Sequence, residues 1–248
     1  MPTPGILYVG AAIKDPVLDE ATLNKWYDET HVPEMFALRN GPPAAFRFKN
    51  TDSTRPFRYL CLYVLPDLAW ADSDDLKGAT LTHDALPSGR SYLELLDWDL
   101  RHYEKIQTFE GQNPKPDGAR VGSCVIAVAM EPAAATADSD DPEHDLDAWY
   151  RLQHLDMLST VKGYRRSTRY KLRSAVPATA DAAARKLAVD ELPRYLALHE
   201  YDSQDVPPEQ IKLAVNTEWS KKVIGGARAF VRDVWLLTSE AGDAATKL

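Results

Sequence analysis

Two short stretches of the chain carry side chains that could move a proton. Trp26-Tyr27-Asp28-Glu29-Thr30-His31 returns 123 residues later as Trp149-Tyr150-Arg151-Leu152-Gln153-His154, so that W-Y-x-x-x-H occurs twice. On an α-helix, residues four apart share a face. Tyr27 and His31 therefore stand together, with Glu34 one turn further on, and Tyr150 and His154 do likewise. Trp26 projects roughly 100° away from Tyr27 and reads as packing. Imidazole titrates near neutral pH and can take and return a proton within one cycle, which makes His31 a general acid/base candidate. The Tyr27 phenol could orient it or donate to a developing oxyanion. His154 is the second catalytic candidate, with Tyr150 beside it as a substrate contact. The plainer alternative for both histidines is a helix residue that hydrogen-bonds locally. Arg47 and Arg58, on strands, are the substrate-binding candidates, because a guanidinium suits a planar carboxylate or enolate.

The other four histidines have less support. His144 sits in an acidic loop, His83 in a poorly periodic helix, and His102 and His199 in strands whose alternation does not say which face they take without a register. Cys61 and Cys124 lie in apolar strand-like runs and read as buried thiols. No pattern of metal-ligand spacing is present, and Gly225-Gly226 lacks the context of a nucleotide site. The expectation is therefore no metal and no cofactor, although one histidine suffices as a haem's proximal ligand and that alternative stays open.

The recurrence extends beyond the motif. Ala44–Lys49 corresponds to Ser167–Lys171, and Arg58-Tyr59-Leu60-Cys61-Leu62 to Arg194-Tyr195-Leu196-Ala197-Leu198. Matched landmarks in one order read as an internal duplication. The turn-forming stretch Gly111–Gly118 divides it, giving units 1–112 and 119–248 with a linker at 113–118. The Ala-rich Ser174–Ala188 is taken as an insertion in the second unit.

Each unit reads as strand, helix, strand, strand, helix, strand. In the first, the strands are Gly5–Ile13, one around Phe46 and Phe48, Tyr59–Leu65 and Leu95–Ile106. Its helices start at Asp19, stopping near Asn40-Gly41, and span Asp67–Leu86. In the second, the strands are Val121–Met130, Arg166–Arg173, Tyr195–Tyr201 and Ala229–Leu237, with helices at Leu146–Thr160 and Pro208–Lys222. This β-α-β-β-α-β order predicts an α+β fold of two tandem ferredoxin-like units. Each has a bare sheet face, and the two would pack sheet to sheet as a pseudo-dimeric barrel within one chain.

Composition bounds the partners. The 248-residue, 27.7-kDa chain is 44% hydrophobic and 27% charged, which suits a globular protein. A net charge of −8 argues against general nucleic-acid binding. No apolar run approaches the ~20 residues of a membrane span. The N-terminal stretch lacks the form of a secretory signal, so a cytoplasmic location is expected.

Trp26-Tyr27, His31-Val32-Pro33, Gly41 and the basic strand after it resemble the dimeric α+β barrel superfamily, and within it the EthD-like proteins. The second copy keeps Trp149-Tyr150 and His154 but has Asp156 where the first has Pro33. The resemblance implies ligand space between the helix layer and the sheet. It also implies chemistry of the kinds the superfamily hosts, among them cofactor-free cyclases and monooxygenases of aromatic polyketide pathways. The expected function is thus a cofactor-free lyase or cyclase. It would catalyse dehydration, decarboxylation or ring closure on a hydrophobic, polyketide-like natural-product intermediate, with His31 moving the proton. The alternatives are a cofactor-free monooxygenase of aromatic polyketides and a non-catalytic binding or stress-type barrel.

Overall fold

The computed structural model describes residues 1–112, 120–135, 141–176 and 190–248. The expected linker, most of the Ala-rich insertion and part of the acidic run Asp138–Asp145 lie outside the described residues.

Eight strands are present: β1 Gly5–Ile13, β2 Ala44–Asn50, β3 Tyr59–Leu65, β4 Leu96–Glu110, β5 Cys124–Glu131, β6 Tyr164–Val176, β7 Tyr195–Tyr201 and β8 Ala229–Gly242. They hydrogen-bond in one closed order, β1-β3-β2-β8-β5-β7-β6-β4. This overturns the expected pair of ferredoxin-like units packed sheet to sheet. The structure is a single closed barrel of eight strands, and its helices are short. The physical reason lies in β4, β6 and β8, whose 15, 13 and 14 residues exceed the seven to nine of the others. Two open sheets would each leave unpaired edges, which a closed strand order removes. The sequence reading cut these strands short because their polar ends, such as Gln107, Ser174 and Thr238, carry no apolar run.

Packing divides the chain into two compact units. One comprises Met1–Lys105 with Leu172–Glu191 and Leu237–Leu248; the other comprises Ile106–Lys171 with Leu192–Leu236.

In the first unit β1 lies between β3 and β4, antiparallel to both, with Leu7 opposite Tyr63 on one side and His102 on the other. Asp19 opens α1 (Glu20–Trp26) by accepting from the Thr22 amide at 2.7 Å. A π-helical turn, Tyr27–His31, follows, then α2, Val32–Ala37. The chain stops at Asn40, with φ of 55°, and Gly41, where a Cβ would meet the Met35 carbonyl at 2.4 Å. Leu23, Trp26, Val32 and Met35 bury against Leu7, Val9, Ala45 and Cys61 as the unit's core. The expected helix over Asp67–Leu86 is instead a 3-10 turn, Leu68–Asp72, and one turn of helix, α3 Asp74–Lys77. A second single turn, α4 Tyr92–Leu95, leads directly into β4. The stretch has no continuous apolar stripe to bury, so no long helix forms.

In the second unit α5 Pro142–Trp149, a π-helical turn Tyr150–His154 and α6 Leu155–Ser159 pack over β5, β6 and β7. The expected helix Pro208–Lys222 is two, α7 Pro208–Val215 and α8 Glu218–Gly226. Thr217 breaks it, its Oγ1 accepting from the Ser220 amide at 3.0 Å.

Candidate functional site

The repeated motif does not sit on a regular α-helix. In both units its last five residues form a π turn, closed by the Val32 amide donating to the Tyr27 carbonyl and the Leu155 amide donating to that of Tyr150. A π turn adds a residue to the helical circuit, and such turns recur at functional sites. It brings the first and sixth residues of the motif into line. His31 stacks on Trp26 at 4.6 Å and 21°, and His154 stacks on Trp149 at 4.1 Å and 20°. Tyr27 and Tyr150 meet the same imidazoles edge-on, at 5.4 and 5.5 Å. Trp26 is therefore part of the histidine's setting and not remote packing. The signal was available: tryptophan precedes histidine by five residues in both halves.

Arg47 and Arg169 hold these turns from below. The Arg47 guanidinium lies 4.4 Å over the Tyr27 ring, donating to Asp28 Oδ1 at 2.7 Å and to Asn24 Oδ1 at 2.6 Å. Arg169 lies 4.2 Å over Tyr150 and donates to Gln107 and Asp147, each at 2.8 Å. Lys49 with Glu20, and Lys171 with Glu143, pair one step further along.

The environments of the two histidines differ. His31 lines a cavity of about 610 Å³ in the first unit, walled chiefly by Leu7, Val9, Met35, Tyr92, Leu96 and Trp98. That is the size of a small-molecule site. Glu34 lines an adjoining space of about 220 Å³ with His31, and its carboxylate pairs with His83 at 2.8 Å. His31 makes no hydrogen bond to the described residues; its contacts are with the rings of Trp26, Tyr27 and Tyr92. Burial, and then the nearby His83 and Arg47, push its pKa down to about 4, so the ring is neutral at pH 7. Tyr63 and Trp98 contribute to the wall, while the Trp98 indole N–H and the Tyr63 hydroxyl are themselves buried and lack well-formed hydrogen bonds among the described residues.

In the second unit the matching groups are enclosed. His154 is 5% exposed, the Ala214 carbonyl opposes the lowering of its pKa by burial, and its Nδ1 has no hydrogen-bond partner among the described residues. The Trp149 indole donates to Ser220 Oγ at 3.1 Å, whereas that of Trp26 has no partner. The void beside Tyr150 and Arg169 has no room for a water molecule.

Of the residues nominated from sequence, His31 faces the cavity. Tyr27 is buried beneath it, with burial raising its phenol well above the ordinary value, and does not line the space. Tyr150, raised to about 12 for the same reason, is buried likewise. Arg47 and Arg58 are not on the cavity wall: β2 lies beyond β3, away from the β1–β4 floor, and Arg58 sits beside Glu20 and Tyr59. Tyr63, Tyr92, Trp98 and His102, which the sequence reading did not select, line the cavity. Their selection needed the strand register, which places Leu7, Tyr63 and His102 in one row.

Burial also couples His154 and His199 to pH. Their folded pKa values fall to about 4 and about 3, below the ordinary 6.5. Below pH 6.5 the unfolded chain takes up protons that the folded chain refuses, so stability is lost as pH falls toward 4. For His154 alone the loss is about 3 kcal/mol. Urea midpoints measured from pH 7 to pH 4 are expected to fall, and His154→Phe, which keeps a ring on Trp149, should flatten that fall.

These features place a cavity of small-molecule size in the first unit of a fold shared with solved structures. No family model matches the sequence. It is 28% identical over 206 residues to core atranone cluster protein 1 of Stachybotrys chlorohalonatus, covering 80% of this chain and 82% of that protein. Among solved structures it is similar to an anthrone oxidase-like protein, with a TM-score of 0.55 at 15% identity, covering 98% of this chain and 95% of the other. A candidate monooxygenase from Fusobacterium nucleatum gives a TM-score of 0.56 at 10% identity, with the same coverage. No helix among the described residues is long and apolar enough to cross a membrane.

Proposed function

We propose that the chain is an enzyme of secondary metabolism. It binds a hydrophobic, oxygen-bearing molecule of polyketide type in the first unit's cavity and transforms it by proton transfer, as a cofactor-free lyase or cyclase. The observation that carries this reading is the apolar cavity of about 610 Å³ with a neutral, otherwise uncommitted His31 on its wall. His31 would accept a proton from an acidic C–H or phenol. The imidazolium then faces the enolate it has created, and their attraction offsets the desolvation that lowers the pKa of the free enzyme. The relative's name, core atranone cluster protein 1, supports a place in natural-product biosynthesis.

A second reading is a cofactor-free monooxygenase of aromatic polyketides, in which a phenol deprotonated in the cavity reacts with molecular oxygen; the anthrone oxidase-like protein and the candidate monooxygenase that share the fold support it. A cofactor-free monooxygenase would oxidise a CH2 carbon of the substrate to C=O, one oxygen atom entering the product and the other leaving as water with the two hydrogens that carbon loses. An oxygen electrode separates the two: a lyase or cyclase turns over under argon, and a monooxygenase consumes oxygen in step with product.

The same reading takes the two units as copies of one EthD-like module, with the pocket of the second given over to packing. The recurrence of Trp–His stacking, Arg over Tyr and the Lys–Glu pair supports it. His154→Phe is then expected to keep kcat/KM within about threefold of the parent, a small effect set against the usual contribution of an acid/base group. Filling the first cavity with Leu100→Trp should weaken binding of an aromatic ligand at least tenfold, measured by fluorescence titration. Equal loss in the His154 variant would move the site to the second unit.

A further inference from the structure

Two spaces meet at His31. The apolar cavity of about 610 Å³ and the adjoining space of about 220 Å³ share His31, Met35 and Ala79 on their walls. One side of the smaller space is the helix face that carries His31, Glu34 and Met35, which are three and four residues apart. The other side is the chain at Gly78, Ala79 and Thr80. Glu34 reaches from the helix to that chain: its Oε1 meets His83 Nε2 at 2.8 Å, three residues beyond Thr80. The carboxylate also lies close enough to Tyr92, on the wall of the larger cavity, to act on its phenol electrostatically. The Glu34 side chain is 42% exposed, and His83 occupies one of its two oxygens. Oε2 makes no hydrogen bond to the described residues.

The second unit lacks this group. Three residues after the motif histidine, the first unit has Glu34 and the second has Met157. Met157 packs against the cluster that holds Leu158, Tyr164 and Tyr201, so its position serves packing alone. A half-exposed pair such as Glu34 with His83 adds little to stability, because water screens it. Folding therefore does not require a carboxylate at this position. The acceptor coincides with the unit that has open space beside its histidine.

We propose that Glu34 is a specificity-determining residue for a ligand that occupies both spaces and passes His31 where they meet. The aromatic body fills the larger cavity, and a hydroxyl on a short arm enters the smaller one and donates to Glu34 Oε2. An ionised carboxylate can only accept, so the site separates a free hydroxyl from its methyl ether, which has no hydrogen to give. The ether would also press a methyl group against a carboxylate oxygen and strip it of water without replacing the bond. The ligand class is an aromatic molecule with a free hydroxyl on a side arm. This rests on the reading of the larger cavity as the site of an aromatic, oxygen-bearing molecule.

The test uses the full chain and two probes, 2-naphthaleneethanol and its methyl ether, with affinities from isothermal titration calorimetry. The parent protein should bind the alcohol at least tenfold more tightly, as a hydrogen bond to a charged acceptor provides. Glu34→Met, which installs the residue of the second unit, should bring the two affinities within about twofold by weakening the alcohol alone. Its unchanged affinity for the ether reports an intact cavity. Glu34→Gln keeps an acceptor without the charge and should retain an intermediate preference of about threefold. Equal affinity of the parent for both probes overturns the proposal and leaves the aromatic-ligand reading standing. An undiminished preference in Glu34→Met overturns it too. Should that variant bind neither probe, Glu34→Gln decides alone, and a preference equal to the parent's removes Glu34. If the parent itself binds neither probe, the aromatic-ligand reading falls, and this inference with it.

Discussion

His31→Ala is expected to lower turnover at least 10²-fold, the usual worth of a positioned acid/base group. The imidazole is the one proton acceptor on the cavity wall that the π turn itself delivers, stacked on Trp26 and free of hydrogen bonds among the described residues. The pH profile supplies a second readout. A base must be unprotonated to act, and burial places the free-enzyme pKa at about 4. The logarithm of kcat/KM should therefore be level from neutral pH down to about 5 and fall with unit slope below about 4. His31→Gln, which keeps size and polarity, should be as inactive as His31→Ala. A Gln variant with parental turnover, or an acid limb centred near 6.5, would remove His31 from the chemistry.

Glu200→Ala should cost about 3–5 kcal/mol of folding stability, because it takes from the buried Arg166 its nearest carboxylate and leaves it the more exposed Glu110 at 3.5 Å. Glu200 is 0% exposed and accepts from Arg166 Nε at 2.5 Å, from Arg166 Nη2 at 3.2 Å and from the Gly122 amide at 2.8 Å. Arg166 is itself buried and also donates to the Arg120 carbonyl. Burial raises the Glu200 pKa while Arg166 opposes it, so the pair is held by geometry in a setting hostile to each charge alone. Against a total stability of roughly 5–15 kcal/mol for a native protein, such a loss decides whether the chain folds. Urea denaturation should show a lower midpoint at unchanged slope. The double variant Arg166→Met/Glu200→Leu should recover most of it, since two apolar chains replace two charges. A single-variant loss under about 1 kcal/mol would mean that solvent reaches the pair.

Some of this was legible in the amino-acid order. Asp19 as a cap, the stop at Asn40-Gly41, and strands Gly5–Ile13, Tyr59–Leu65 and Tyr195–Tyr201 follow from local chemistry, which acts over a few residues. His31 could be singled out because its motif recurs, and recurrence needs no coordinates. The π turn was not legible, since helix periodicity assumes 3.6 residues per turn and one added residue changes which side chains meet. Arg47 was misjudged for a related reason: chemistry suited it to an anion, but its reach is spent on Tyr27, Asp28 and Asn24.

Taken alone, the residue order settled the type and sequence of most strands, the paired W-Y-x-x-x-H segments and the candidacy of His31. Tertiary structure decided that the strands close into one ring, that the first unit holds the open cavity while the second fills its own, and that Tyr63 and His102 face that cavity on one row. Those outcomes depend on strand register and on how far β4, β6 and β8 run past their apolar cores. Both are set by contacts between residues distant along the chain, which no local pattern records.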